Sequence, residues 1–253
     1  MIKEIFEHRS IRKYLDKPIL PDVMNSILEA ATRTSNTGNM QVYSIVVTTE
    51  KEIKEALAPA HFNQSMVTEA PVILTFCADF NRFKKWCRQR NAEPGYDNFL
   101  SFLTAAIDAI LAAQNACLEA EAHGLGICYL GTTIYNSDKI IEILNLPKGV
   151  VPVTTVSIGY PAEAPQLTDR LPLEAVVHYE KYQDFDENSI DEFYKEKEAR
   201  EDNRQFVKEN NKETLAQVFT DVRYSKANND YFSQVLFRVL KQQGFLDSKI
   251  ELV

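Results

Sequence analysis

Between Phe99 and Ala122 the chain carries its longest helical pattern, rich in Ala and Leu on most faces. A helix that is apolar nearly all round has little face to give to solvent, so it belongs in the middle of a fold with other elements packed on several sides. The best candidate for a membrane span, Ala105 to Ala122, holds Asp108, Gln114, Asn115, Glu119 and Glu121, so no stretch reads as long and apolar enough to span a bilayer. Gly124 is placed to stop the helix.

Strands and helices are expected on both sides of this centre. Asp22 to Arg33 has Val23, Ile27, Leu28 and Ala31 at helical spacing, just after Pro21. Tyr43 to Thr49 and Val72 to Phe76 are dense in β-branched residues and read as strands. A short strand around Ile127 to Leu130 leads to a helix from Ser137 to Leu144, ended by Pro147. Val151 to Ile158 is strand-like and closes at Gly159-Tyr160-Pro161. Ala162 to Pro172 reads as a loop, and Ala175 to Tyr179 as a final strand with His178 half exposed. From Gln183 the composition shifts. Asp184 to Asn211 is heavily charged, a solvated helix and linker. Tyr231, Val235, Leu236, Val239 and Leu240 then restore an apolar stripe that stops at Gly244 and needs an apolar surface to cover it. The expected organisation is a core over 1–182 and an extension over 183–253, packed on the core or on a partner subunit.

The formal net charge of -8 argues against a nucleic-acid partner, which needs a basic surface. Acidic Glu4 and Glu7 stand where a secretory signal would be basic and then apolar. Cys77, Cys87, Cys117 and Cys128 lack C-x-x-C spacing, so free buried thiols in a reducing compartment are expected, with no metal site. Together these lead us to expect a cytoplasmic protein. The four histidines, His8, His61, His123 and His178, form no H-E-x-x-H pattern, and no G-x-S-x-G is present. His123, before Gly124, reads as a capping or surface residue. Gly124-Leu125-Gly126 is too short for the dinucleotide fingerprint, and no Walker A pattern occurs. An enzyme without such a constellation is one whose cofactor carries the hard chemistry, so no catalytic side chain is nominated. A nucleotide phosphate would then need side-chain cations. His8-Arg9-Ser10-Ile11-Arg12-Lys13-Tyr14 offers two guanidinium groups and a hydroxyl, with Arg170 further along.

That heptapeptide occurs with Thr34-Ser35-Asn36-Thr37-Gly38-Asn39-Met40-Gln41, with Phe76-Cys77-Ala78-Asp79-Phe80-Asn81-Arg82, and with Ala113-Gln114-Asn115-Ala116. Tyr129-Leu130-Gly131, Gly159-Tyr160-Pro161-Ala162 and Arg170-Leu171-Pro172 follow in order. Together they resemble the FMN-dependent nitroreductase family, most of all its NADPH-preferring, oxygen-insensitive nitroreductase and flavin reductase branch. The resemblance implies an α+β fold with a central sheet wrapped by helices. It also implies an intertwined homodimer in which a C-terminal arm embraces the partner, with FMN at the interface.

By the same resemblance, Arg9 and Ser10 are phosphate ligands supported by His8, and Arg12 faces the flavin pyrimidine. Ser35, Asn36, Thr37 and Gln41 form a polar loop that reaches FMN from the other subunit. Gln64 bonds the pyrimidine edge, and Tyr129, Leu130, Gly131 and Thr132 bring backbone close to the isoalloxazine. Arg170 binds phosphate, while Thr168 stands where the branch has a lysine, and the loop at Asn36 to Asn39 lacks the branch's aromatic residue. The implied activity is hydride transfer from NADPH or NADH through FMN to nitroaromatics, quinones or free flavin, in ping-pong order. Alternatives are alkene reduction or reductive dehalogenation on the same fold, or a flavin-binding protein without turnover.

Overall fold

Four strands, β1 (Tyr43–Thr48), β2 (Val72–Asp79), β3 (Gly126–Leu130) and β4 (Val150–Gly159), form one antiparallel sheet in the order β1-β2-β4-β3. They belong to a computed structural model that describes residues 1–246, so the last seven residues of the expected extension lie outside the described residues. The helices are α1 (Lys3–Glu7), α2 (Pro21–Thr32), α3 (Lys51–Leu57), α4 (Met66–Glu69), α5 (Asn81–Gln89), α6 (Phe99–Ala122) and α7 (Ser137–Ile143). After β4 come α8 (Glu187–Ala199), α9 (Glu201–Glu209), the short α10 (Leu215–Gln217) and α11 (Lys226–Gln243). The fold is α+β.

The chain divides into two compact units, Met1–Gln166 together with Phe232 onward, and Leu167–Tyr231. In the first, α6 lies across all four strands and against α2. Ala109, Ala112, Ala113, Ala116 and Ala120 are fully buried, and their small side chains let the helix approach the sheet closely. Leu74 and Phe76 of β2, Ile127 of β3 and Val156 and Ile158 of β4 complete that layer. Strand alternation turns Cys128 and Leu130 to the opposite face, where they join Leu57, Ala60, Met66, Val67 and Ile140. A third cluster joins Phe80, Phe102 and Val151 to Val239, Leu240 and Phe245.

Two expectations need correction. Over 18 residues α6 reaches a mean hydropathy of 1.4, so one helix does have the length and apolarity of a membrane span. Half of that window is buried inside the fold, which is how a core helix comes to pass the same test. Its remaining apolar face, Leu100, Leu103, Ile107, Ile110 and Leu111, stays exposed, Leu100 at 72%. Ala175 to Tyr179 is not a strand: a 3-10 turn at Leu173–Ala175 runs into irregular chain. Val176 and Val177 carry β propensity but pair with no strand, and His178 packs on Tyr182 with ring centroids 4.3 Å apart.

In the Leu167–Tyr231 unit the charged stretch forms two helices that meet at Arg200, whose extended backbone ends α8 and begins α9. Asp186 caps α8 by accepting from the Ser189 amide.

Candidate functional site

The 8–14 segment is laid along β3. Ser10 bridges Ile127 in parallel, and the Ile11 amide donates to the Ile127 carbonyl at 2.9 Å. Such contact is possible because Gly126 has no side chain: a Cβ there would stand 2.5 Å from Ile11 Cγ1. The Tyr14 hydroxyl donates to the Ile11 carbonyl at 2.6 Å, which fixes the far end of the segment. One oxygen of Glu163 accepts from the amides of Arg12 at 2.7 Å and Lys13 at 3.1 Å.

Within this frame Arg9 is half-buried, and its Nε is buried without a hydrogen-bond partner. A buried guanidinium N–H with no acceptor is costly, and an oxyanion bound beside it would remove that cost. Arg12 is exposed, and no described residue bonds its guanidinium. His8 Nδ1 lies 2.6 Å from Glu121 of α6, so its ring is held by the protein itself. Burial pushes the Glu121 carboxyl up, while the His8 bond draws it back down. A cavity of about 270 Å³ beside Arg9 is also lined by Lys3, Glu4, Glu7, Glu121 and Glu163. Four carboxylates against two cations repel an anion, so a phosphate is indicated by the Arg9 Nε and not by this cavity.

At the other end of β3, Tyr129 and Leu130 lead into a turn at Gly131 and Thr132. The Tyr129 hydroxyl donates to Gln114 Oε1 at 3.4 Å, and burial pushes its phenol up. A Cβ added at Gly131 would meet no protein atom, and the backbone there is not left-handed. Gly126 and Gly159 are glycines because protein atoms crowd them, whereas Gly131 has open space above it.

The Thr132 hydroxyl is 2.8 Å from Nδ1 of His61, a fully buried histidine that ends a 3-10 turn at Ala58–His61. Gln64 lies three residues on and donates its side-chain amide to the His61 carbonyl at 3.0 Å. Asn136 Nδ2 donates to the Ala60 carbonyl at 2.9 Å, a second tie between the two segments. Thus Gln64 and Thr132 are brought together through His61.

Ser35, Asn36, Thr37 and Gln41 form a loop anchored elsewhere. The Thr37 amide and hydroxyl donate to Asp108 Oδ1 of α6 at 3.0 and 3.2 Å. The Gln41 amide donates to Asn36 Oδ1 at 3.3 Å, and Arg82 donates to the carbonyls of Gln41 and Tyr43. Ser35 is exposed. No hydrogen bond among the described residues links this loop to the 8–14 segment or to the Thr132 turn. Thr168 and Arg170 belong to the Leu167–Tyr231 unit, where Arg170 Nη1 donates to Thr168 Oγ1 at 2.7 Å and to the Asp169 carbonyl at 2.9 Å. Lys197, at 2.8 Å, holds the Asp169 carboxyl below its ordinary range and Arg200 adds to this.

Sequence reading missed His61, Asp108 and Glu163, whose roles depend on partners distant in the chain. Asp79 and Arg82 stood inside a recognised motif. Asp79 accepts from the amides of Asn81 and Arg82, opening α5, so Arg82 can reach back to the 34–41 loop.

A sequence model described as the Nitroreductase family matches residues 5–160. The oxygen-insensitive NADPH nitroreductase of Salmonella typhimurium is 38% identical over 183 residues, covering 72% of this chain and 75% of that protein. The NAD(P)H FMN reductase of Bacillus subtilis is 33% identical over 252 residues, 97% of each chain. An oxidoreductase crystal structure from Bacteroides fragilis superposes with a TM-score of 0.95 at 56% identity, covering 96% of this chain and 99% of that one.

Proposed function

The chain belongs to the nitroreductase family, and from this we propose that Arg9 and Ser10 hold the phosphate of FMN while Gln64 and the Tyr129 to Thr132 turn meet its ring. The protein is an NAD(P)H-dependent oxidoreductase. FMN held there would supply the two-electron chemistry of hydride transfer from NAD(P)H to a nitroaromatic, a quinone or free flavin.

The observation that carries the reading is the buried, unpartnered Nε of Arg9 beside the Ser10 bridge to β3. β3 rises roughly 10 Å between Ile127 and Leu130, so its two ends suit a ligand with a charged end and a flat end. Open space over Gly131 suits a flat ring that lies against backbone. The Arg12 guanidinium, without a hydrogen-bond partner among the described residues, would set a positive charge near the pyrimidine and stabilise negative charge there. His8 acts through its backbone, since its ring is engaged by Glu121. Thr168 and Arg170 enter as phosphate ligands through the resemblance alone.

The same proposal makes the enzyme a homodimer in which Ser35, Asn36, Thr37 and Gln41 approach the partner's flavin. Support comes from the exposed apolar stripe of α6, a surface that a second copy can cover. Four free, buried thiols suit a reducing, cytoplasmic compartment.

The purified protein is expected to be yellow, with about one FMN per chain and bleaching on anaerobic addition of NAD(P)H. Arg9→Ala is expected to weaken FMN binding about ten- to a hundredfold, the ~1.5–3 kcal/mol of a hydrogen bond to a charged group. Colourless protein that takes up no added FMN would remove the proposal.

A further inference from the structure

His61 is fully buried, yet its Nε2 has no hydrogen-bond partner, and its one polar contact is Nδ1 to Thr132 Oγ1 at 2.8 Å. Desolvation keeps the ring neutral, pushing it down to about 4. A neutral imidazole has one N–H and one bare nitrogen, so one of them must face the apolar interior. A buried N–H without an acceptor is rarer and costlier than a bare acceptor, so the proton belongs on Nδ1. Nδ1–H then donates to Thr132 Oγ1. The Thr132 hydroxyl hydrogen is left free to point away from the protein.

The same residue acts on Gln64 through its backbone. Phe62 and Asn63 both have left-handed backbone, at φ 55 and 54, and the chain turns back so that Gln64 Nε2 donates to the His61 carbonyl. Left-handed φ is a genuine outlier for a residue as bulky as Phe, and such strain persists only where surrounding bonds fix it. The bonds here are Asn63 N–H to the Ala58 carbonyl at 2.8 Å and Asn136 to the Ala60 carbonyl. With its amide nitrogen engaged, Gln64 presents Oε1, which has no partner among the described residues, as an acceptor.

We propose that His61 is a positioning residue that sets the hydrogen-bonding polarity of the flavin seat, making Thr132 a donor and Gln64 an acceptor. A donor beside an acceptor complements a pyrimidine edge, on which carbonyl oxygens flank an N–H. The inference rests on the reading that Gln64 and Thr132 meet the ring. A hydroxyl donor to a ring carbonyl strengthens as negative charge develops on reduction, so His61 influences the flavin potential without touching the flavin.

The test uses the FMN-loaded enzyme and compares His61→Asn, His61→Gln, His61→Leu, Thr132→Val and Gln64→Leu. Three quantities are measured: FMN affinity by fluorescence titration, midpoint potential, and the melting temperature of the apoprotein. His61→Asn keeps an amide donor near the position of Nδ1, whereas His61→Gln moves it toward Nε2. His61→Leu and His61→Gln are expected to weaken reduced FMN about tenfold more than oxidised FMN, lowering the potential by about 30 mV. Thr132→Val is expected to give the same shift and to add nothing in combination with His61→Leu. His61→Asn should restore the parental potential. If His61→Leu does not fold, the contrast between Asn and Gln decides alone. Variants of His61 that change only the melting temperature, while Gln64→Leu alters FMN affinity, would overturn the role of His61 and leave the ring placement standing. If neither Gln64→Leu nor Thr132→Val alters affinity or potential, the ring placement fails, and the role of His61 fails with it.

Discussion

Burial alone pushes the His61 imidazole down to about 4. Its free form in an unfolded chain takes up a proton near pH 6.5, so below that pH the unfolded state binds more protons than the folded one. Stability that the neutral ring contributes is therefore fully present above pH 6.5 and is lost between 6.5 and 4. Over that window the loss is roughly 3 kcal/mol. Urea unfolding at pH 7 and pH 4.5 is expected to show His61→Asn losing less stability than the parent, by roughly 2 to 3 kcal/mol. Equal losses in the two proteins would mean that the ring takes up protons in the folded state as readily as in the unfolded one.

β3 shows how one short element serves the site at both ends, through two glycines with different physical reasons. Gly126→Ala drives a Cβ to within 2.5 Å of Ile11, and relief of such overpacking costs about 1–3 kcal/mol. Gly131→Ala meets no protein atom. The expected outcome is a lower melting temperature for Gly126→Ala apoprotein, and an unchanged one for Gly131→Ala with weakened FMN binding. Gly131→Ala with parental FMN affinity would show that nothing packs against that turn. The elements legible in the sequence were those whose period is carried by burial. α6 was read at its observed bounds because its alanines repeat on the covered faces, and β1, β2 and β4 were read from runs of Val, Ile and Thr. Helix α3, Lys-Glu-Ile-Lys-Glu-Ala-Leu, offers only a few apolar anchors, and α5 is dominated by charge, so neither declared itself. Val176 and Val177 misled because propensity cannot report whether a strand partner exists. At the site, Arg9 and Ser10 were visible as neighbours in sequence. His61 and Thr132 are 71 residues apart, and no local pattern announces that their side chains meet.

For the whole molecule, the exposed stripe on α6 carries the proposal of a dimer. Charges at its centre, in Leu103→Glu with Ile107→Glu, are expected to lower the light-scattering mass from twice 28.9 kDa to 28.9 kDa. FMN occupancy should fall with it if the 35–41 loop serves the partner's flavin. A variant that stays dimeric would place the interface elsewhere. The cluster that joins Phe80 and Phe102 to Val239, Leu240 and Phe245 has a different consequence, one that belongs to synthesis. All four strands have left the ribosome once Gly159 emerges, but the residues that complete the cluster around Phe102 come about 80 positions later, roughly 4–16 s at ordinary translation rates. During that interval the nascent core holds Phe102 without the Phe245 ring that packs on it, and the newborn chain is then most open to chaperone capture or to sticking to its neighbours on the same message.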